Sequence, residues 1–329
     1  MSRLNSFLNG LRVIDVSAYL PGPFASLLLS DMGADVVKVE PPHGDGMRLL
    51  GPRDPAGKPL FHAALNAGKS VRRIDLKSAG RKQEFLQLTD AADVLIEGFR
   101  PDAMGRLGLD ADTLRTRNPG LIVCSLSGYG AAGPRAQEAG HDGNYLALAG
   151  VLHRNGKPPR FFDPPVADLT SSLFAALGIL GAVQGRQRDG LGCHIDLAIA
   201  DVAMPLQLFE IAALAATGRV PQPETTYLNG GAAYYRVYST SDQRHVVLGA
   251  VEPKFWHSFC TAAGRPDWID RHAEALPQHA LIADVAAYLT GLRLSECEAR
   301  FAGADCCLSP VLDLAEALHG AHHQGRGLV

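Results

Sequence analysis

Short β-branched runs alternate with amphipathic stretches through the first part of the chain. Residues 11–16 and 35–39 have the pattern of buried strands, with residues 22–32 between them repeating at helical spacing. Residues 93–96 and 121–125 continue the strand series, and residues 81–89 and 112–117 supply helical material between them. Strands separated by helices predict an α/β fold with a doubly wound, mostly parallel sheet. Ligands in such sheets sit beyond the carboxyl ends of the strands, so the loops after residues 39, 97 and 126 are where chemistry is expected.

From residue 168 to 186 the pattern turns strongly helical, and a second helical stretch at 199–217 follows the strand-like residues 193–197. Proline and glycine become frequent around 221–223, as in a linker. Beyond it, residues 234–238 and 245–250 predict strands, and residues 253–263 and 282–292 predict helices. The expected division is a large α/β domain at 1–198, a helical linker at 199–224, a small α+β domain at 225–305 and a returning segment at 306–329.

Composition narrows the classes. At 329 residues, with 47% apolar and 20% charged positions, the chain is ordinary globular protein. A formal charge of −3 gives no reason to expect nucleic acid or an anionic membrane as partner. The six cysteines lack C-x-x-C spacing, and Cys306 and Cys307 are adjacent, so reduced thiols are expected in place of disulfides or a metal site. The N-terminal segment has no apolar run suited to a signal peptide, the apolar residues 173–183 are too few to span a bilayer, and the last residues are no peroxisomal address. Cytoplasm is the expected compartment. Gly128-Tyr-Gly130-Ala-Ala-Gly133 matches a dinucleotide fingerprint, but no apolar helix opens at Pro134, so a tight glycine-rich loop is its expected meaning.

Several segments together resemble the family III CoA-transferases, a group that also contains the α-methylacyl-CoA racemases. They are Pro21-Gly-Pro23, the run from Leu29 to Pro41, Gly44-Asp45, Asp75-Leu-Lys77, the run from Ala92 to Pro101, Gly128-Tyr-Gly130 with Gly133-Pro134, and Ala139-Gly-His-Asp142. Their order covers nearly the whole chain. Ala139 to Tyr145, Asn229 to Tyr235 and Gly249 to Pro253 are similar to the racemase branch in particular. The resemblance implies a family III fold, with a Rossmann-like large domain, a smaller α+β domain and two chains interlocked as a homodimer. It implies racemisation of 2-methylacyl-CoA thioesters, with no metal or redox cofactor and coenzyme A entering only as part of the substrate. By the same resemblance His141 and Asp168 are the catalytic pair, supported by Tyr145 and Glu252. Coenzyme A would be held by Ile74, Leu76, Lys77, Gly98, Phe99, Arg100, Gly140 and Asp142.

The chemistry accounts for such a pair. Inverting a carbon beside a thioester carbonyl means taking its proton from one face and delivering one to the other, by two groups that exchange the roles of acid and base. Imidazole and carboxylate, with ordinary pKa values of about 6.5 and 3.9, can both be bases at neutral pH. The enolate between the two steps needs hydrogen-bond donors at its oxygen. Asp168 precedes Thr170-Ser-Ser172 and reads as a helix N-cap, so a helix starting just after it would offer free N–H groups there. His141 and Tyr145 are four apart, which on a helix permits a hydrogen bond. From spacing alone His141 is equally a structural histidine, Glu252 a solvated loop carboxylate before Pro253, and Lys77 and Arg100 ordinary surface charges.

Three departures from the family pattern stand out. Pro41 occupies the place of a frequent phosphate-binding arginine, for which Lys38, Arg48, Arg72 or Arg73 would compensate. Gly143 replaces a bulkier apolar residue and is expected to widen the pocket. The sequence stops at Val329, some tens of residues short of the family's usual extent. The rival activities are a CoA-transferase with Asp168 as nucleophile and a silent CoA-binding relative.

Overall fold

Val13 and Ile14 are shut away from solvent in β1 (Arg12–Asp15), a central strand of a six-stranded parallel sheet. In the computed structural model, which describes residues 6–327, the chain forms two units. The first runs to Leu152 and resumes over Phe161–Leu208; the second takes His153–Arg160 and the chain from Phe209 onward.

In the first unit β1 is followed by α1 (Pro21–Asp31), β2 (Asp35–Glu40), α2 (Leu60–Leu65), β3 (Ser70–Arg73), α3 (Ala79–Asp90) and β4 (Val94–Glu97). Then come α4 (Ala103–Arg106), α5 (Ala111–Arg117), β5 (Ile122–Ser127), α6 (Asp142–Leu148), α7 (Val166–Asp189), β6 (His194–Ala198) and α8 (Ile199–Val202). The strand order is β3-β2-β1-β4-β5-β6, all parallel, with Val13 level with Val36 on one side and Val94 on the other. The order reverses between β1 and β4, which opens a crevice at their carboxyl ends. Ala25, Leu29, Ala175, Ala176 and Ile179 of α1 and α7 join one core cluster, while Phe85, Met104 and Leu114 of α3, α4 and α5 join another. Each fully buried Leu, Ile or Phe contributes about 1.5–3 kcal/mol.

The sheet has one strand the pattern does not predict. β3 is exposed at all four residues, Ser-Val-Arg-Arg, so an edge position left no apolar signal. The apolar run at 173–183 lies inside the 24-residue α7, which by length and composition could cross a membrane, as could Ile199–Thr217. The apolar run is thus part of a longer helix than its own length implies, and Ala175, Ala176 and Ile179 of that helix lie in the core. The helical stretch from Ile199 is interrupted at Pro205, which has no N–H to donate, and resumes as α9 (Leu208–Thr217).

The second unit carries β7 (Tyr235–Ser239), β8 (His245–Gly249), α10 (Pro253–Ala263), α11 (His279–Thr290), α12 (Leu294–Phe301) and β9 (Leu308–Pro310), then α13 (Leu314–His319) and α14 (Ala321–Gly325). Its sheet is antiparallel in the order β7-β8-β9, so the returning segment supplies an edge strand. Trp256, Phe259, Leu281, Val285, Leu289 and Phe301 pack on it as one cluster. The Trp256 indole donates to the Trp268 carbonyl at 2.9 Å.

Candidate active site

His141 is the residue before α6, with extended backbone (φ −133°, ψ 174°), and is exposed. Its N–H donates to Asn144 Oδ1 at 3.0 Å. His141 caps the helix that starts at Asp142, and its carbonyl accepts the Tyr145 N–H at 3.3 Å. The Tyr145 hydroxyl donates to the Gly140 carbonyl at 2.6 Å, and its ring meets Tyr129 edge-on at 5.2 Å. A Cβ on Gly140 would lie 2.7 Å from the Tyr129 hydroxyl, so glycine is what lets this turn approach the two rings. Burial, then the charge of Asp168, pushes the Tyr145 phenol up to about 12. It is a structural donor that buttresses the turn carrying His141.

Asp168 is not an N-cap. α7 begins two residues earlier, after Pro165, and Asp168 sits in its first turn. The free N–H groups expected just after Asp168 are not there, since the Leu169 N–H donates to the Pro165 carbonyl at 3.1 Å; at the actual head of α7, Asp142 Oδ1 accepts from Ala167 N–H at 2.7 Å and from Asp168 N–H at 3.1 Å. The half-buried Asp168 carboxyl is raised to about 6, first by desolvation and then by the charge of Asp142, with His141 acting in the opposite direction. The structure therefore brings His141, Asp142 and Asp168 into one electrostatic neighbourhood. Gly143 does not widen a pocket, since a Cβ there would meet the Phe161 ring at 2.6 Å.

A cavity of about 500 Å³ opens at the carboxyl ends of β1 and β2. Ile74, Leu76, Lys77 and Phe99 line it together with Tyr19, Pro41, Pro42 and Leu49. Ile74 is buried, Leu76 and Phe99 half-buried, and Lys77 exposed, so apolar side chains and an exposed cation share the lining with the carboxyls of Glu40, Asp45 and Asp75. Gly98 stands where a Cβ would be 3.3 Å from that of Ser17, which keeps the ends of β1 and β4 close. Arg100 is elsewhere. Its guanidinium donates to the Gln137 carbonyl at 3.4 Å and lines a smaller cleft, about 180 Å³, with Glu97, Asp102, His194 and Asp196. Phe99 borders both spaces.

Two of the proposed substitutes for the phosphate contact at Pro41 are occupied. Lys38 is wholly buried, donates to the Ser17 carbonyl and pairs with Asp15 at 3.6 Å and Asp45 at 3.3 Å. Arg48 donates twice to Glu40 at 2.8 Å, and Glu40 also takes His62 Nε2 at 2.7 Å. Arg72 and Arg73 remain exposed on β3. Lys69 completes the buried cluster, 3.5 Å from Asp15, its amine lowered to about 8 because desolvation outweighs the pull of Asp15. Burial opposes the charge on Asp15, yet Lys38 and Lys69 hold it below the ordinary carboxylate range. Pattern reading missed this cluster, although a lysine inside Val36-Val-Lys-Val39 was a visible signal.

In the second unit Glu252 precedes α10, exposed and making no side-chain cap. All six cysteines are free thiols.

Comparison with known proteins follows the same lines. A family model described as CoA-transferase family III matches residues 8–329. Alpha-methylacyl-CoA racemase from Mus musculus is 32% identical over 332 residues, covering 97% of this chain and 81% of that protein. Acetyl-CoA:oxalate CoA-transferase from Acetobacter aceti is 31% identical over 323 residues, covering 94% of this chain and 82% of that one. The crystal structure of a CAIB/BAIF family protein from Brucella suis matches with a TM-score of 0.86 at 28% identity, over 98% of this chain and 88% of that chain. A racemase and a transferase are thus similar to the chain to nearly the same degree.

Proposed function

The chain belongs to CoA-transferase family III, and on that premise we propose that it is an isomerase that inverts the α-carbon of 2-methylacyl-CoA thioesters. The observation that carries the reading is the Asp168 carboxyl, held at about 6 beside His141. A group that must be base in one direction and acid in the other needs both forms within reach. At pH 7 a pKa of 6 leaves about a tenth of the carboxyl protonated, against less than about a thousandth at the ordinary value.

One of the pair removes the C2 proton, and the electron pair of the broken C–H bond moves onto the thioester oxygen. The other gives its proton to the opposite face of C2 as that pair returns. Reversal exchanges the roles. With the N–H groups of Ala167 and Asp168 taken by Asp142, and those of Asn144 and Tyr145 by the His141 carbonyl, the reading gives the oxyanion to the N–H groups of Asp142 and Gly143 at the head of α6. The 500 Å³ cavity, with the exposed Lys77 in its lining, suits the nucleotide end of coenzyme A. We further propose a homodimer, supported by Leu208, Phe209, Ile211 and Leu214 exposed along α9. Sedimentation at micromolar concentration giving a monomer would remove it.

Solvent deuterium entering C2 of the substrate tests the isomerase reading. The second reading is a CoA-transferase in which Asp168 attacks the thioester carbonyl, expels the CoA thiolate and becomes an acyl-aspartyl anhydride. The similarity to the Acetobacter aceti enzyme favours it, and hydroxylamine trapping of that anhydride without C2 exchange would establish it.

A further inference from the structure

We propose that Asp142 is a positioning residue for the reacting pair, its carboxylate clipping the head of α7 to the segment that carries His141. This rests on the assignment of His141 and Asp168 as that pair. The covalent path between them is long, and residues His153–Arg160, which lie between α6 and α7, belong to the other unit. Pro165, the residue before α7, provides no side-chain cap. The one oxygen of Asp142 accepts both Ala167 N–H and Asp168 N–H, and Asp142 is itself the neighbour of His141 in the chain. Tyr145 and Leu146 of α6 also share an apolar cluster with Ala167, which holds the two helices in contact. Apolar contact is non-directional, whereas two hydrogen bonds to one oxygen fix a register.

The clip also has a charge. Its anion stands beside Asp168, and after burial it is the next cause that keeps a proton on that carboxyl; His141 opposes it, and the Tyr145 phenol is the other titratable group in the field. Asp142 was expected to touch coenzyme A. In the structure its Oδ1 is committed to protein N–H groups.

Two variants separate these roles. Asp142→Asn keeps an acceptor oxygen and removes the charge, while Asp142→Ala removes both. The Asp168 titration is read from ¹³C-carboxyl resonances without substrate, assigned by their loss in Asp168→Asn. For Asp142→Asn, the midpoint should fall by about half a unit or more toward the ordinary value. The acid limb of the C2-exchange rate should move down with it. Asp142→Ala should lose about tenfold or more in kcat with KM for the thioester unchanged, and Asp142→Asn should recover most of that loss. An unmoved midpoint in Asp142→Asn overturns the charge role, and an Asp142→Ala enzyme with unchanged kcat overturns the clip. Lost affinity for the thioester at that unchanged kcat is what a coenzyme A contact would give. Because the titration needs no substrate, a shifted midpoint beside a parent enzyme that exchanges nothing would leave the charge coupling of Asp142 to Asp168 standing and sink the racemase reading alone.

Discussion

Replacing Asp168 by asparagine should abolish racemisation and make the protein more stable. The folded carboxyl titrates at about 6 against an ordinary 3.8, so the fold binds this proton more tightly than the unfolded chain does. The stability contributed by this group is complete below about pH 4 and is lost as pH rises through 6. A little over two units corresponds to about 3 kcal/mol if fully expressed. Asp168 is only partly buried, so solvent screening reduces this to about 1.5 kcal/mol. Asparagine resembles the protonated carboxyl and escapes the loss. Calorimetry at pH 8 should show the variant melting about 3–6 °C above the parent for a unit of this size. The gain should shrink by about half near pH 5 and nearly vanish at pH 4. A variant no more stable at pH 8, or a gain that persists at pH 4, would refute the electrostatic description of the site.

Asp15→Asn leaves the buried Lys38 and Lys69 amines with too little countercharge and should cost about 3–5 kcal/mol in urea unfolding. A loss below about 1 kcal/mol would mean that water reaches the cluster. Lys77→Ala should weaken free coenzyme A by about 1.5–3 kcal/mol in titration calorimetry, the scale of one charge-assisted contact. Arg100→Ala should do the same if the ligand passes Phe99 into the smaller cleft, and unchanged affinity would confine it to the larger cavity.

Legibility followed burial. β1, β2, β4 and β5 are covered by helices on both faces and read as β-branched runs, so the parallel sheet was visible from them. β3 and β9, an exposed edge and a three-residue strand, carried no such pattern. The start of α7 was misread because an acidic residue favours both the N-cap and the first turn, where Asp168 in fact stands. The partnership of Asp142 with Ala167 and Asp168 spans 25 and 26 residues, and a hydrogen bond of that reach leaves no periodic trace. The i,i+4 pairing of His141 with Tyr145 is met only in the backbone, where the Tyr145 N–H donates to the His141 carbonyl at 3.3 Å, while the phenol turns to Gly140. The resemblance to family III supplied which histidine and which aspartate to watch, and the fold then placed them in one electrostatic neighbourhood.

The central claim is that His141 and Asp168 move the C2 proton of a CoA thioester. The most direct measurement follows one enantiomer of a 2-methylacyl-CoA in deuterium oxide, by mass and by chirality. The parent enzyme should place one deuterium at C2 and carry either enantiomer to the same mixture of the two. His141→Ala should stop inversion in both directions while leaving exchange only for the enantiomer whose proton faces Asp168, and Asp168→Asn should leave the opposite one. Loss of each group should slow its own step by about 10²–10⁴. No deuterium at C2 in the parent, together with an acyl group trapped on Asp168 by hydroxylamine, would contradict the account.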